Sequence, residues 1–264
     1  MHSWLTDAGI DAAETIRPVP QQRIREKIDQ YMSRRDYPAV ERHLLYWLEE
    51  ARMGHDLRGQ LMIQNELVGH YRKTGEREKA LASADEALKL LDALDFGRTV
   101  SAGTTCVNIA TAFCAFGEHS RALELFERGR AGYEQEDTDP RLLGGLYNNM
   151  ALAYAALGRW REAQALYDHA MDAMAEVPGG ALEQGITCLN RANALEAELG
   201  METAEPRIFD LLDRASELLE NPDAPMDGYY AFVCEKCAPS FEYYGYFLEA
   251  EHLREEARRI YERT

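Results

Sequence analysis

The sequence predicts an all-α protein, a solenoid of about six helical hairpins, and three observations predict it. Turn positions recur at nearly constant spacing. Arg35, Gly75, Gly117, Gly158, Gly200 and Gly245 are separated by 40, 42, 41, 42 and 45 residues, a period that marks a helical repeat array. Around three of these glycines the neighbours repeat as well, an aromatic four residues before and an alanine five after: Tyr71 and Ala80, Phe113 and Ala122, Tyr154 and Ala163. The apolar residues on either side return at helical spacing. One such hairpin cannot bury its own apolar face, so its neighbours must stack upon it.

Taken along the chain, residues 1–20 form an N-terminal segment closed by Pro18-Val19-Pro20, either a short capping helix or a frayed end. Repeats follow at approximately 21–56, 60–96, 98–136, 140–177, 180–221 and 226–264, with no composition shift to mark a second domain. The loops between them hold turn formers, as in Asp137-Thr138-Asp139-Pro140, Pro178-Gly179-Gly180 and Asn221-Pro222-Asp223-Ala224-Pro225. The fourth unit shows the logic. Leu146–Ala156 is a helix ended by Gly158, which tolerates the positive φ of a C-cap. Trp160–Met174 is its partner, with Ala163, Leu166, Tyr167, Ala170 and Met174 on one face. The last helix, Leu248–Glu262, carries a polar surface suited to a solenoid cap. Pro239 falls inside the sixth unit's first helix, where it is expected to kink or end it.

These residues resemble the tetratricopeptide repeat (TPR). In the fourth unit the family pattern is met by Tyr147, Met150, Ala151, Tyr154, Gly158, Ala163, Tyr167 and Ala170. The third meets it with Ala110, Phe113, Gly117, Ala122, Phe126 and Gly129, the second with Tyr71, Gly75, Ala80 and Ala87. The period exceeds the family's usual length of about 34 residues, and Ala175 stands where a repeat-ending proline is usual. Longer helices account for both departures, as in the repeats of kinesin light chains and bacterial peptide-pheromone receptors, which this sequence is similar to. The resemblance implies a right-handed α-α superhelix, a TPR solenoid, with the first helix of each repeat lining a concave surface that binds protein or peptide.

Composition narrows the partners. The chain has 264 residues, 46% of them hydrophobic, and a formal charge of −17, so phosphate backbones and anionic membrane surfaces are repelled. The expectation is no nucleic acid and no membrane. No apolar run is long enough to span a bilayer, the N-terminus lacks the features of an export signal, and five cysteines are too few for a disulfide scaffold. A cytoplasmic location follows as the expectation. Neither HExxH, nor a P-loop, nor GxGxxG, nor GxSxG occurs. The reading is of a protein that is not an enzyme, with no catalytic residues, no bound metal and no cofactor.

Asparagine marks the candidate binding surface. Six of the seven asparagines, Asn65, Asn108, Asn148, Asn149, Asn190 and Asn193, lie on first helices, although asparagine is a poor helix-interior residue. A carboxamide both donates and accepts, so a row of them matches the N–H and C=O of an extended peptide. The same amides alternatively bond to neighbouring helices and fix repeat stacking. Arg72, Lys73, Thr111 and Glu196 share the register, the two cations suited to a carboxylate. Cys234-Glu235-Lys236-Cys237 is a CxxC with no further ligands nearby, read chiefly as packing. The aromatic-rich stretch from Tyr229 to Phe247 either closes the last repeat or forms a sticky surface. The function read from the sequence is a peptide-binding module. The alternatives are a self-associating scaffold subunit and a peptide-sensing regulator without its own effector domain.

Overall fold

The computed structural model describes residues 16–134, 138–221 and 226–263, so the reading of residues 1–15 as a cap or a frayed end, and most of the loop at Pro222–Pro225, lie outside the described residues. The described residues are all-α, without a strand. Twelve helices follow one another: α1 (Gln21–Ser33), α2 (Tyr37–Met53), α3 (Leu57–Thr74), α4 (Arg77–Ala93), α5 (Val100–Ala115), α6 (His119–Tyr133), α7 (Pro140–Ala156), α8 (Trp160–Met174), α9 (Ala181–Leu199), α10 (Met201–Leu219), α11 (Gly228–Tyr243) and α12 (Phe247–Tyr261). They pair as successive hairpins. The first two hairpins form one compact unit, up to Gly97, and the remaining four form a second, from Arg98.

The turns within hairpins behave as their residues require. Gly75, Gly117, Gly158, Gly200 and Gly245 all have positive φ, and Arg35, in the equivalent place, adopts φ 55°, at some strain for a side-chain-bearing residue. Carboxylates and a hydroxyl start several helices. Asp36, Asp56, Thr99, Asp139 and Asp227 each accept a backbone N–H from the first turn of the following helix. Asp56 does more. At 5% exposure it accepts from Gly59 N at 2.9 Å and from Val19 N, also at 2.9 Å, so the Pro18–Pro20 segment is tied to the start of α3.

The second helix of the fourth hairpin buries the stripe its sequence predicts. In α8 the buried residues are Ala163, Leu166, Tyr167, Ala170 and Met174, the five expected. Close approach depends on small residues where α5 meets α6. A Cβ on Gly103 would lie 2.9 Å from the Gly129 carbonyl oxygen, and one on Gly132 2.7 Å from that of Thr99. In the second unit α9, α10, α11 and α12 share one apolar cluster around Leu189, Ile208, Leu212, Val233, Phe241 and Leu253.

One expectation needs correcting in part. Pro239 does not end its helix, since α11 continues to Tyr243, and α10 likewise runs through Pro206. Both prolines lie on exposed positions, so each ring removes one ladder hydrogen bond where water can satisfy the freed carbonyl.

Candidate functional site

In the second unit the second helix of one hairpin packs on the first helix of the next, α6 on α7 and α8 on α9. First helices also meet, α5 with α7, α7 with α9 and α9 with α11, while among the described residues no two second helices approach comparably. The first helices therefore follow one another along one side of this stack. Seven of the ten residues picked from the sequence, Asn108, Thr111, Asn148, Asn149, Asn190, Asn193 and Glu196, lie on α5, α7 and α9.

Five of the six asparagines occupy two helical registers. Asn65, Asn148 and Asn190 stand ten residues before Gly75, Gly158 and Gly200, whereas Asn108 and Asn149 stand nine before Gly117 and Gly158. The first of these registers joins repeats. Asn190 Nδ2 donates to Asn148 Oδ1 at 3.1 Å, from α9 to α7, and Asn148 is buried, at 8% exposure. Farther along α9, Asn193 Oδ1 accepts from the Tyr244 hydroxyl at 3.0 Å. Glu196 accepts from Tyr244 at 2.9 Å and from Tyr243 at 2.8 Å. The Tyr229 hydroxyl donates to Glu183, again from α11 to α9. Burial and the Glu196 carboxylate together push the Tyr244 phenol well above its ordinary range, so it remains a donor. Thr111 turns back on its own helix, donating to Val107 O at 2.7 Å. Asn108 is half-buried on α5, and Asn149 is half-buried with no hydrogen bond among the described residues.

In the first unit, Asn65 is half-buried on α3. Arg72 is half-buried too, and burial lowers its pKa. Lys73 is exposed, its ammonium 5.6 Å from the centre of the Tyr37 ring. Sequence reasoning missed a polar centre beside them. Lys79 Nζ bridges Glu41 at 2.8 Å and Glu76 at 2.5 Å, and Glu41 also accepts from the Tyr71 hydroxyl at 3.0 Å. The buried imidazole of His70 faces the same group, its Nδ1 unpartnered. One potential ligand atom from each of Glu41, His70 and Glu76 lies within 4.8 Å of the others. The Lys79 ammonium supplies the positive charge that holds the two carboxylates together.

The CxxC is a packing element. Cys234 and Cys237 are free and buried, and burial pushes their thiols up to about 11 and about 12, which leaves almost no reactive thiolate near neutrality. The aromatic stretch divides. Tyr230, Phe241 and Tyr244 are buried in the last repeats, whereas Phe232, Tyr243 and Phe247 are exposed.

Residues 144–177, the α7/α8 hairpin without its first turn, match the family model of the tetratricopeptide repeat. The fold is that of a tetratricopeptide-repeat solenoid. Among solved structures the chain is similar to a putative kinesin light chain of Podosopora anserina with nearly identical TPR-like repeats. The identity is 20% over 76% of this chain and 94% of that one, with a TM-score of 0.51. A single-substitution form of the same protein gives 0.52 at the same identity and coverage. BtubC (BKLC) from P. vanneervenii matches at 15% identity over 92% of this chain and 91% of that one, with a TM-score of 0.49. No curated protein matches the sequence. TPR folds generally mediate protein–protein interactions and generally lack enzymatic activity. Among the described residues no helix is long and apolar enough to cross a membrane.

Proposed function

We propose that the repeats form a peptide-binding module, holding an extended segment of another protein against the first helices of the second unit through hydrogen bonds to its main chain. The observation that carries this reading is the Asn148–Asn190 pair. Two carboxamides one repeat apart reach each other at 3.1 Å, so amides of consecutive first helices stand side by side, where an extended chain meets both. Each uses one group on the other and keeps the complementary one, Asn148 its N–H and Asn190 its C=O. Asn149, without a hydrogen bond among the described residues, together with Asn108 and Asn193, extends the set. Stacked helices hold these amides in place, so the ordering cost of binding falls on the ligand. In the first unit Asn65, Arg72 and Lys73 offer an amide and two cations to a segment bearing a carboxylate. The partner is a protein in the same, cytoplasmic, compartment.

The test uses immobilised chain to capture a partner, an array of that partner's peptides to find the bound segment, and the Asn108→Ala/Asn149→Ala variant. The segment is expected to bind the variant at least about tenfold more weakly, from the loss of two or more hydrogen bonds of about 1 kcal/mol each, while circular dichroism shows the variant still folded. Undiminished binding rejects the reading.

A second reading is favoured by the last hairpin, where Phe232, Tyr243, Phe247 and Leu248 are 52%, 68%, 65% and 79% exposed. Apolar side chains at such exposure suit self-association of a scaffold subunit. Light scattering over a wide concentration range tests it, and a monomer at every concentration removes it.

A further inference from the structure

The first hairpin departs from the rest of the chain in charge. Between residues 17 and 58 there are nine basic and seven acidic side chains, leaving 20 basic against 39 acidic elsewhere. Part of that excess faces a cleft of about 380 Å³ between α1 and α2, lined by Arg23, Glu26, Lys27 and Gln30 from α1 and by His43 and Trp47 from α2. Arg23 and Lys27 are one helical turn apart, and so are His43 and Trp47, so each wall presents an i, i+4 pair to the other.

Neither cation of the cleft makes an ion pair among the described residues, although carboxylates outnumber cations in the chain by 46 to 29. Lys27 donates only to Gln30, at 3.1 Å, and lies 4.8 Å from the centre of the Tyr31 ring. Glu26, the one acid in the cleft, accepts from Gln22 at 2.9 Å. The opposite wall is aromatic, and Tyr31 of α1 joins its series of rings. Tyr31, His43, Trp47 and Tyr46 follow one another edge to face, with ring centres 5.9, 6.3 and 5.3 Å apart. His43 Nε2 is buried without a hydrogen-bond partner, and burial lowers the imidazole's pKa, which keeps it neutral.

We infer that this cleft is a second binding site, separate from the first-helix surface, for an acidic segment of a partner protein that carries at least one apolar side chain. Arg23 and Lys27 take the carboxylates, in contacts stronger than those between neutral groups. Trp47 and His43 receive the apolar residue, which excludes water from the charged contacts. The charge of −17 selects a short acidic segment over a nucleic acid, because a long polyanion meets the field of the whole protein and a short segment meets that of the cleft.

The test is fluorescence anisotropy with the full chain and a short fluorescein-labelled peptide alternating glutamate with leucine and phenylalanine. The controls replace each glutamate by glutamine or by lysine. Saturable binding of the glutamate peptide alone is expected, weakening with added salt. Arg23→Glu/Lys27→Glu is expected to weaken it by about 100-fold, and Trp47→Ala by about tenfold, from the loss of charged hydrogen bonds and of an aromatic anchor. Arg23 is exposed and Lys27 is not in the core, so the double variant keeps its fold, checked by circular dichroism. Equal binding of the glutamine or lysine peptide overturns the inference, as does unchanged affinity of the double variant or the absence of saturable binding. Two further outcomes give the cleft to another occupant and equally overturn it. One is tighter peptide binding after Asp7→Asn/Asp11→Asn/Glu14→Gln, which points to the chain's own leading segment. The other is self-association abolished by the double charge reversal, which points to a second copy.

Discussion

Asn148 and Asn190 stand 42 residues apart and bond to each other at 3.1 Å, amide N–H to amide oxygen. The separation equals one repeat, so the contact is a tie between consecutive first helices. Asn148 is almost fully buried, and removing its partner leaves a polar group without water to replace it. Asn190→Ala is expected to cost about 1–2 kcal/mol in urea unfolding. The Asn148→Ala/Asn190→Ala double variant is expected to cost less than the sum of the single ones, by about 0.5–1.5 kcal/mol. Strict additivity means that the two amides do not communicate.

Glycine substitutions separate packing from propensity. A Cβ on Gly132 meets the Thr99 carbonyl oxygen at 2.7 Å and Gly103 Cα at 3.1 Å, whereas one on Gly145, inside α7, meets nothing within 4 Å. Gly132→Ala is expected to destabilise by about 1–3 kcal/mol through overpacking of two helix backbones. Gly145→Ala is expected to stabilise by about 0.5–1 kcal/mol through helix propensity. Thermal melts of the two variants give opposite signs if the hairpins pack as described.

Glu66 on α3 has its pKa raised from the ordinary value by partial burial, with Arg25 at 3.7 Å offsetting part of the shift and Asp29 adding to it. A carboxyl whose folded pKa is raised lowers stability at pH values above that pKa and stops doing so once both folded and unfolded forms are protonated. Glu66→Gln is therefore expected to raise the melting temperature near about pH 7.5, with the gain shrinking towards about pH 4. A gain that grows on acidification contradicts the assignment.

Cys234 and Cys237 are expected to react with a thiol reagent on the order of 100-fold more slowly in the native protein than in denaturant, since burial withholds both access and thiolate. Reaction kinetics read by mass spectrometry check this. Rapid native labelling of either residue assigns it a role other than packing.

Much of the architecture is legible in the sequence because hairpin repeats impose two strong signals. Turn residues must accept positive φ, which glycine does at no cost and Arg35 does in its place, and apolar positions must return at helical spacing. Hence the stripe of α8 was readable residue by residue. The turns between repeats were less readable, since His55 and Asp95 adopt positive φ of 52° and 44° without glycine's signature. The asparagines were legible as a periodic set, but periodicity is common to a ligand row and a stacking tie. Only geometry pairs Asn148 with Asn190 and brings Tyr243 and Tyr244 onto Glu196. The cleft at Arg23 and Trp47 left no motif, because it joins residues from two helices whose relative rotation the sequence does not state.

Amide hydrogen exchange of the full chain, with and without the bound segment of its captured partner, tests the central claim most directly. Slowed exchange concentrated in α5, α7 and α9 is the result the first-helix surface predicts. Protection confined to the second helices α6, α8 and α10 would contradict it.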